Sequence, residues 1–336
     1  MKKFFKTLPL FLVASLSACD IAHQYRQDTL FLFDTVVTVK TTEYHGLMYN
    51  VVAQEHTCDI LKEVDAISDA YKKRDVTCIY DLNNTNDKIE IDGQLYRLLT
   101  LALEIKEDTP YFNPFIGSLS NKWKESLAKG EQLSDSVIEE ELLKMNNTSL
   151  LLEMITDGYK HHHYAQRVGD GLIDVGAIAK GFALDECKAF LHRETEPEYE
   201  YMVDAGSSSI LLGRNKGDTN YKVKIKDLSK PTYLHLKECF VATSGTSEQG
   251  VEIDGTTYSH IISPLTGSAI NVYDAVIVIS DLKENYGLLT DALSTVFMMS
   301  TLEEIKELEK STGVNVILID DDNIVYKSES LELYHG

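Results

Sequence analysis

Apolar residues recur along this chain with two different spacings, and each spacing predicts one kind of element. Over residues 49–71 they recur every three or four positions between charged residues, which is typical of a helix with one buried face. The Pro- and Gly-punctuated segment 113–123 is expected to lead into another helix. The same spacing predicts further helices over 95–108, 135–144, 182–192, 287–299 and 303–310.

Alternating apolar and polar positions, rich in β-branched residues, predict strands between these helices. Residues 29–42 are expected to form a single strand, and the polar, Asn-rich stretch 81–87 a loop. Further strands are predicted over 150–155, 160–167, 201–203, 209–212, 221–225, 233–236, 274–280, 314–319 and 324–326. The first two of these flank Asp157-Gly158, a frequent hairpin turn. The mixture indicates an α+β fold over residues 29–330, built as one unit or as two subdomains.

The first nineteen residues are expected to lie outside that fold. Three lysines precede an apolar run over 8–16 that is too short to span a membrane, and the run ends in Leu16-Ser17-Ala18-Cys19. This order resembles a bacterial lipoprotein signal peptide, with an ordinary secretory signal as the alternative. Cys19 would then be the first mature residue and carry the lipid. Residues 20–28 would be a short tether, and the protein would be extracytoplasmic and anchored to the cell membrane.

The charge of the chain limits its partners. The formal net charge is -21 at pH 7, so the surface repels nucleic acid, and no nucleic-acid partner is expected. Anionic lipid headgroups are repelled as well, so a lipid anchor rather than the surface would hold the protein at a membrane. A phosphorylated ligand would need a locally compensated pocket, which favours a bound cation.

The cysteines after Cys19 give no metal motif. Cys58, Cys78, Cys187 and Cys239 include no CxxC pair, so a zinc site is not expected. Buried free thiols are the expected state because a chain of this size needs no covalent staples. A disulfide between Cys58 and Cys78 is the alternative outside the cytosol.

Two distant stretches carry the strongest candidate chemistry. Residues 173–181 predict a strand that ends at Asp174, a glycine-bounded turn and a helix start beside Lys180. The free N–H groups of such a helix start bind phosphate. Much later, Asp291 and Thr295 lie four residues apart, so on a helix they share a face and can offer oxygens to one hard cation. Taken alone, each feature also suits an ordinary connection or helix cap.

Three further segments carry polar groups in small-residue or turn settings. His260 precedes an apolar pair and a Pro/Gly turn, and its usual pKa range suits acid–base catalysis, although a buried structural histidine is the commoner case. Thr243 and Ser244 end a strand where they could contact phosphate or flavin oxygens. The turn over 204–209 contains small residues suited to close contact with a nucleotide. Both turns could equally be plain connections.

These five segments, taken together and in their order along the chain, resemble the ApbE family of FAD:protein FMN transferases over most of residues 30–300. The strongest signatures are the lysine turn, the stretch Ser259-His260-Ile261-Ile262 with its following Pro and Gly, and Asp291-Ala292 with Thr295. The resemblance implies an α+β fold with a T-fold-like core of antiparallel strands and packed helices. It also implies Mg²⁺-dependent cleavage of FAD, transfer of FMN to a threonine hydroxyl of a target flavoprotein, and release of AMP.

The resemblance further implies roles for individual residues. Asp291, Thr295 and the backbone carbonyl of Ala177 would bind Mg²⁺, and His260 and Asp291 would be catalytic at the reacting phosphate. The FAD site would be lined by Thr35, Tyr71, Asn113, Asp174, Lys180, Asp185, Gly206, Ser207, Ser208, Thr243, Ser244 and His260.

The chain departs from the family pattern at positions on the flavin and adenine sides. Many members carry Asp at the position of Asn113, and a Gly-Gly or Gly-Glu pair at Ser207-Ser208. Two other functions stay open on the sequence: an FAD pyrophosphatase that uses water in place of threonine, and a lipoprotein that binds flavin without catalysis.

Overall fold

The computed structural model describes residues 25–42, 48–195, 199–215, 220–226, 228–246, 251–253, 256–270 and 272–335. Cys19 and the predicted signal segment therefore lie outside the described residues. No helix in the described ranges is both long enough and apolar enough to cross a membrane.

Eight helices form in the described part of the chain. Most of the helices predicted from apolar spacing agree with the observed bounds to within a few residues. The eight helices are α1 (Met48–Ser68), α2 (Ile79–Asn83), α3 (Gly93–Asp108), α4 (Gly117–Lys129), α5 (Asp135–Asn146), α6 (Ala179–Glu194), α7 (Tyr286–Phe297) and α8 (Leu302–Thr312).

The strands comprise the predicted ones and several short additions. They are β1 (Tyr25–Leu32), β2 (Thr35–Thr42), β3 (Ile89–Ile91), β4 (Ser149–Asp157), β5 (Lys160–Val168), β6 (Tyr201–Ala205), β7 (Ser209–Leu212), β8 (Tyr221–Ile225), β9 (Thr232–Leu236), β10 (Cys239–Gly245), β11 (Val251–Ile253), β12 (Thr256–Tyr258), β13 (Ala275–Asp281), β14 (Asn315–Asp320), β15 (Asn323–Lys327) and β16 (Tyr334–His335).

One antiparallel sheet of eight strands organises the fold, in the order β1-β2-β6-β7-β10-β13-β14-β15. Its two faces alternate along each strand: Val276 and Val278 pack into the core shared with α1, α6 and α7. Ile277 and Ile279 enter a second core on the other face, covered by the small sheet β16-β9-β8. A third sheet, β3-β5-β4, contains the predicted hairpin. The α+β prediction is therefore confirmed.

The prediction of one strand over 29–42 is wrong, because the chain reverses in the middle of it. Phe33 and Asp34 adopt left-handed backbone angles, with φ of 52° and 56°, and join β1 to β2 as an antiparallel pair. The backbone N–H of Phe33 donates to the Asp65 carboxylate of α1 at 2.6 Å, which holds the turn. The tether predicted over 20–28 is also wrong in its last four residues, which belong to β1.

The predicted loop over 81–87 is wrong at its start, because α2 continues to Asn83. The Asp81 carboxylate accepts the backbone N–H of Cys78 at 3.0 Å and so caps this short helix. The expectation for the thiols is confirmed for the four described cysteines, which are all free and buried.

Candidate active site

Helices α6 and α7 are in direct contact at the predicted site. The backbone N–H of Gly181, in the first turn of α6, donates to Asp291 Oδ2 of α7 at 2.8 Å. A Cβ atom at Gly181 would lie 2.2 Å from the carbonyl oxygen of Gly287, so only glycine fits. The structure thus brings Asp291 to the end of the lysine turn, although 110 residues separate it from Gly181.

Asp291 is buried, but it does not lack protein partners. Its Oδ1 accepts a hydrogen bond from the Ser209 hydroxyl of β7 at 2.8 Å, so both carboxylate oxygens are hydrogen-bonded. These protein donors offset part of the cost of burying the carboxylate. Sequence reasoning missed Ser209 as a partner, although its place in an apolar strand next to Ile210 marks it as a buried polar group.

The other two predicted metal-binding oxygens border the same place. Ala177 lies just before α6 and four residues before Gly181, whose N–H donates to Asp291 rather than to its own helix. Thr295 lies one turn beyond Asp291, with its Oγ1 3.3 Å from the Ser244 hydroxyl.

A carboxylate, a hydroxyl and a backbone carbonyl form an all-oxygen set that suits Mg²⁺. Within the described residues there is no group of three His, Cys, Asp or Glu side chains able to hold a metal ion. The predicted set does not depend on such a group, since Asp291 is its only His, Cys, Asp or Glu side chain.

A second group of predicted residues gathers around Asp174. The Tyr71 hydroxyl donates to Asp174 Oδ2, and the backbone N–H of Gly176 donates to Oδ1 at 2.8 Å. The Lys124 ammonium lies 4.9 Å from the centre of the Tyr71 ring. Burial, followed by the charge of Asp174, raises the pKa of Tyr71, so its hydroxyl keeps its proton as a donor. Lys124 was not among the residues predicted from sequence.

His260 lies near two of these cations. The residue is exposed overall, yet desolvation of the imidazole, followed by the charges of Lys180 and Lys124, lowers its pKa. The ring is therefore neutral at pH 7 and can accept a proton, as acid–base chemistry requires.

The loop that carries His260 is attached to α4 and α5. The Trp123 indole N–H donates to the carbonyl of Gly267 at 2.7 Å. Gly267 has a φ of 69°, and a Cβ atom there would lie 2.4 Å from Ile138. These contacts bring the end of segment 113–123 next to the loop that carries His260.

Asn113 forms a local turn beside Asp174. Its Oδ1 accepts the backbone N–H of Phe115 at 3.0 Å, and the next carbonyl, from Pro114, accepts the N–H of Asp174 at 2.7 Å. The structure therefore places Asn113 next to the Asp174 group, while its contact with FAD stays a prediction.

One end of the large sheet collects the remaining predicted residues. Gly206 has a φ of 74°, and a Cβ atom there would lie 2.3 Å from Thr35 Oγ1. The carbonyl of Ser208 accepts the N–H of Thr243 at 2.7 Å. Ser207 follows Gly206 in the same turn, also with left-handed backbone angles.

Ser244 links this sheet end to α7. Its hydroxyl lies 2.8 Å from the Ser294 hydroxyl and close to Thr295. The turn over 206–208 and the predicted metal-binding helix are thus neighbours.

Asp185, another predicted FAD-lining residue, is buried between α6 and α7. Its two carboxylate oxygens accept the backbone N–H groups of Gly287 at 2.9 Å and Leu288 at 2.7 Å. Burial raises the pKa of this carboxyl to about 7. The contacts of Asp185 are therefore with the start of α7, and a contact with FAD stays a prediction.

The strand predicted to end at Asp174 does not form; the segment before Asp174 makes only an isolated bridge at Leu172. Two buried side chains that sequence reasoning missed hold this segment. Asn83 donates to the carbonyl of Ile173 at 2.9 Å and accepts its N–H at 2.7 Å, as a neighbouring strand would. The Arg167 guanidinium donates to the carbonyls of Leu82 and Asn83 at 3.1 and 3.2 Å. The only possible signal was an asparagine in the Asn-rich stretch. Nothing in the sequence distinguishes Asn83, which is buried, from the asparagines beside it.

Comparison with known proteins decides the family. The model of the ApbE family matches residues 33–318. The chain belongs to the ApbE family. Among curated ApbE relatives, FAD:protein FMN transferase from Treponema pallidum is 26% identical over 296 residues, covering 83% of this chain and 80% of that protein. FAD:protein FMN transferase from Vibrio cholerae is 23% identical over 307 residues, covering 89% of each.

Solved ApbE structures share the fold. The ApbE protein of Thermotoga maritima superposes with a TM-score of 0.75 at 23% identity, covering 91% of this chain and 98% of that one. The flavin transferase ApbE of Vibrio cholerae gives a TM-score of 0.71 at 20% identity, covering 92% and 98%. The family resemblance seen in the motifs is therefore confirmed.

Proposed function

We propose that this ApbE family member transfers FMN from FAD to a threonine hydroxyl of a target flavoprotein and releases AMP. The relatives named FAD:protein FMN transferase cover most of its length. The observation that carries the proposal is the position of Asp291, whose carboxylate lies against the first turn of α6, directly after the lysine turn.

The oxygen donors at this position suit Mg²⁺, and Asp291, Thr295 and the Ala177 carbonyl would hold the ion. When bound, it supplies a Lewis acid that stabilises charge on the phosphate oxygens. Support comes from the chemistry of these three oxygen groups and from the contact of Asp291 with Gly181, which lies four residues after Ala177.

The chain itself provides positive charge for the diphosphate of FAD. Lys180 and Lys124 both lie close enough to lower the pKa of His260, and the α6 start adds the partial positive charge of a helix N-terminus. On a chain with a net charge of -21, this local cluster is what allows an anionic dinucleotide to approach.

His260 is the proposed base. The acceptor hydroxyl oxygen attacks the phosphorus of the FMN half, and the bond from this phosphorus to the bridging oxygen breaks, so AMP leaves with that oxygen. The hydroxyl proton passes to the imidazole, which the lowered pKa keeps neutral beforehand.

The remaining predicted residues would orient FAD on either side of the reacting phosphate. Tyr71 and Asp174 form a fixed hydrogen-bonded pair, and the Gly206 turn packs against Thr35. Held side chains of this kind place a ligand without reorganisation.

We also propose an extracytoplasmic location with lipid on Cys19, which would place the enzyme near extracytoplasmic or membrane-associated flavoproteins. The support is the order of charged, apolar and small residues before Cys19. Mass spectrometry of the mature N-terminus tests it: a diacylglyceryl cysteine is expected, and an unmodified N-terminus elsewhere contradicts it.

The function is tested by incubating purified protein with FAD and Mg²⁺, with and without an acceptor flavoprotein, while AMP and protein-bound FMN are measured. Covalent FMN on a threonine, together with AMP, is the expected result. Equal AMP release without acceptor would support a pyrophosphatase. Retained FAD with no AMP in either case would support a flavin-binding lipoprotein.

A further inference from the structure

The two helices of the candidate site carry the same short pattern in their first two turns. In α6, Gly181 is followed four residues later by Asp185, and in α7, Gly287 is followed four residues later by Asp291. In each helix the glycine N–H is one of the first N–H groups, which have no partner within their own helix.

Each aspartate caps the helix to which it does not belong. Gly181 donates to Asp291 at 2.8 Å, and Gly287 donates to Asp185 at 2.9 Å. Leu288 adds a second donor to Asp185 at 2.7 Å. We call these two reciprocal caps, formed by Gly181, Asp185, Gly287 and Asp291, the helix clasp.

Neither helix caps itself. The residues before them, Ile178 and Asn285, form no side-chain cap, and Asn285 has left-handed backbone angles. A Cβ atom at Gly181 would lie 2.2 Å from the Gly287 carbonyl oxygen, and one at Gly287 would lie 2.6 Å from the Gly181 carbonyl oxygen. The glycines therefore let the backbones touch, which brings each carboxylate within reach of the other helix.

The two aspartates have different surroundings. Asp185 uses both oxygens on the backbone N–H groups at the α7 start, whereas Asp291 divides its oxygens between the α6 start and Ser209 of β7; both aspartates are 5% exposed. Asp291 lies one helical turn after the residues that Asp185 holds. The contact of Asp185 therefore fixes the part of α7 from which Asp291 reaches the lysine turn.

From the clasp we infer that Asp185 is a positioning residue for Mg²⁺, which sets Asp291 in place by capping α7 and does not contact FAD. The inference rests on the proposed function. A carboxylate accepts both N–H groups and complements the helix dipole, whereas an amide would turn its NH₂ toward one of the two donors.

The test uses Asp185→Asn in the full-length protein. Partners that orient metal ligands typically change metal affinity by about 10- to 100-fold when removed. We expect the Mg²⁺ concentration for half-maximal FAD cleavage to rise at least about tenfold, with most of the maximal rate regained at saturating Mg²⁺. The rise in Tm that Mg²⁺ causes without FAD should need correspondingly more Mg²⁺.

Asp92→Asn is the matched control, because Asp92 also caps a helix, accepting the N–H of Leu95 at 2.6 Å at the start of α3. It should lower Tm and leave the Mg²⁺ dependence unchanged. If Asp185→Asn does not fold, Asp185→Glu keeps the charge and should give a smaller shift in the same direction.

An unshifted Mg²⁺ dependence in the folded Asp185 variant, with normal wild-type behaviour, overturns the positioning role alone. A wild-type protein that neither cleaves FAD nor gains Tm with Mg²⁺ overturns the proposed function as well.

Discussion

Ser209→Ala isolates the hydrogen bond that the large sheet gives to Asp291. The Ser209 hydroxyl is 1% exposed and lies 2.8 Å from Asp291 Oδ1. A hydrogen bond to a charged group contributes about 1.5–3 kcal/mol, and the carboxylate oxygen left behind is buried. We therefore expect the free energy of unfolding to fall by about 2 kcal/mol without Mg²⁺.

Urea unfolding followed by circular dichroism measures this loss, provided that the slope against urea stays constant. Ser280→Ala is the control. The Ser280 hydroxyl is also buried and lies 2.6 Å from Thr290 Oγ1, which belongs to the same helix as Asp291 but is neutral. That variant should lose about 1 kcal/mol. Equal losses for both variants, or no loss for Ser209→Ala, would refute the charge-assisted bond to Asp291.

Three further predictions concern the surroundings of the site. Lys124→Ala removes a cation that disfavours protonation of His260, so the pKa of His260 should rise. As the pH is lowered, FAD cleavage by this variant should be lost at a higher pH than in the wild type, whereas Lys122→Ala should leave the pH profile unchanged. Asn83→Ala leaves the buried backbone N–H and C=O of Ile173 unsatisfied, so thermal unfolding should show a loss of about 2–4 kcal/mol in the free energy of unfolding; a neutral result would contradict a stabilising role for these two hydrogen bonds. Trp123→Phe loses the indole donor to the loop of His260, so turnover should fall more than FAD affinity in steady-state kinetics; an unchanged turnover would count against it.

The spacing of apolar residues was enough to predict those elements whose structure depends on local interactions. The helices predicted over 95–108 and 135–144 correspond to Gly93–Asp108 and Asp135–Asn146, because their apolar spacing reports one buried face. The reversal at Phe33 and Asp34 was missed because the apolar alternation runs through it and the turn is held by Asp65, thirty-two residues away.

The candidate site was predictable only as far as motifs reach. Family motifs supplied Asp291 and His260, but their partners Ser209 and Lys124 come from distant elements and belong to no motif. The resemblance implies an FAD contact for Asp185, and spacing along the chain could not show that this carboxylate caps the start of α7.

The most direct test of the central claim compares wild-type protein with Asp291→Asn and measures covalent FMN on an acceptor flavoprotein by mass spectrometry across a range of Mg²⁺ concentrations. The wild type should label a threonine and release AMP in proportion, only with Mg²⁺ present. Asp291→Asn should stay folded and label at least about a hundredfold more slowly, by the scale for losing a charge-stabilising group. Equal labelling by both proteins, or labelling by the wild type that is indifferent to Mg²⁺, would contradict the account.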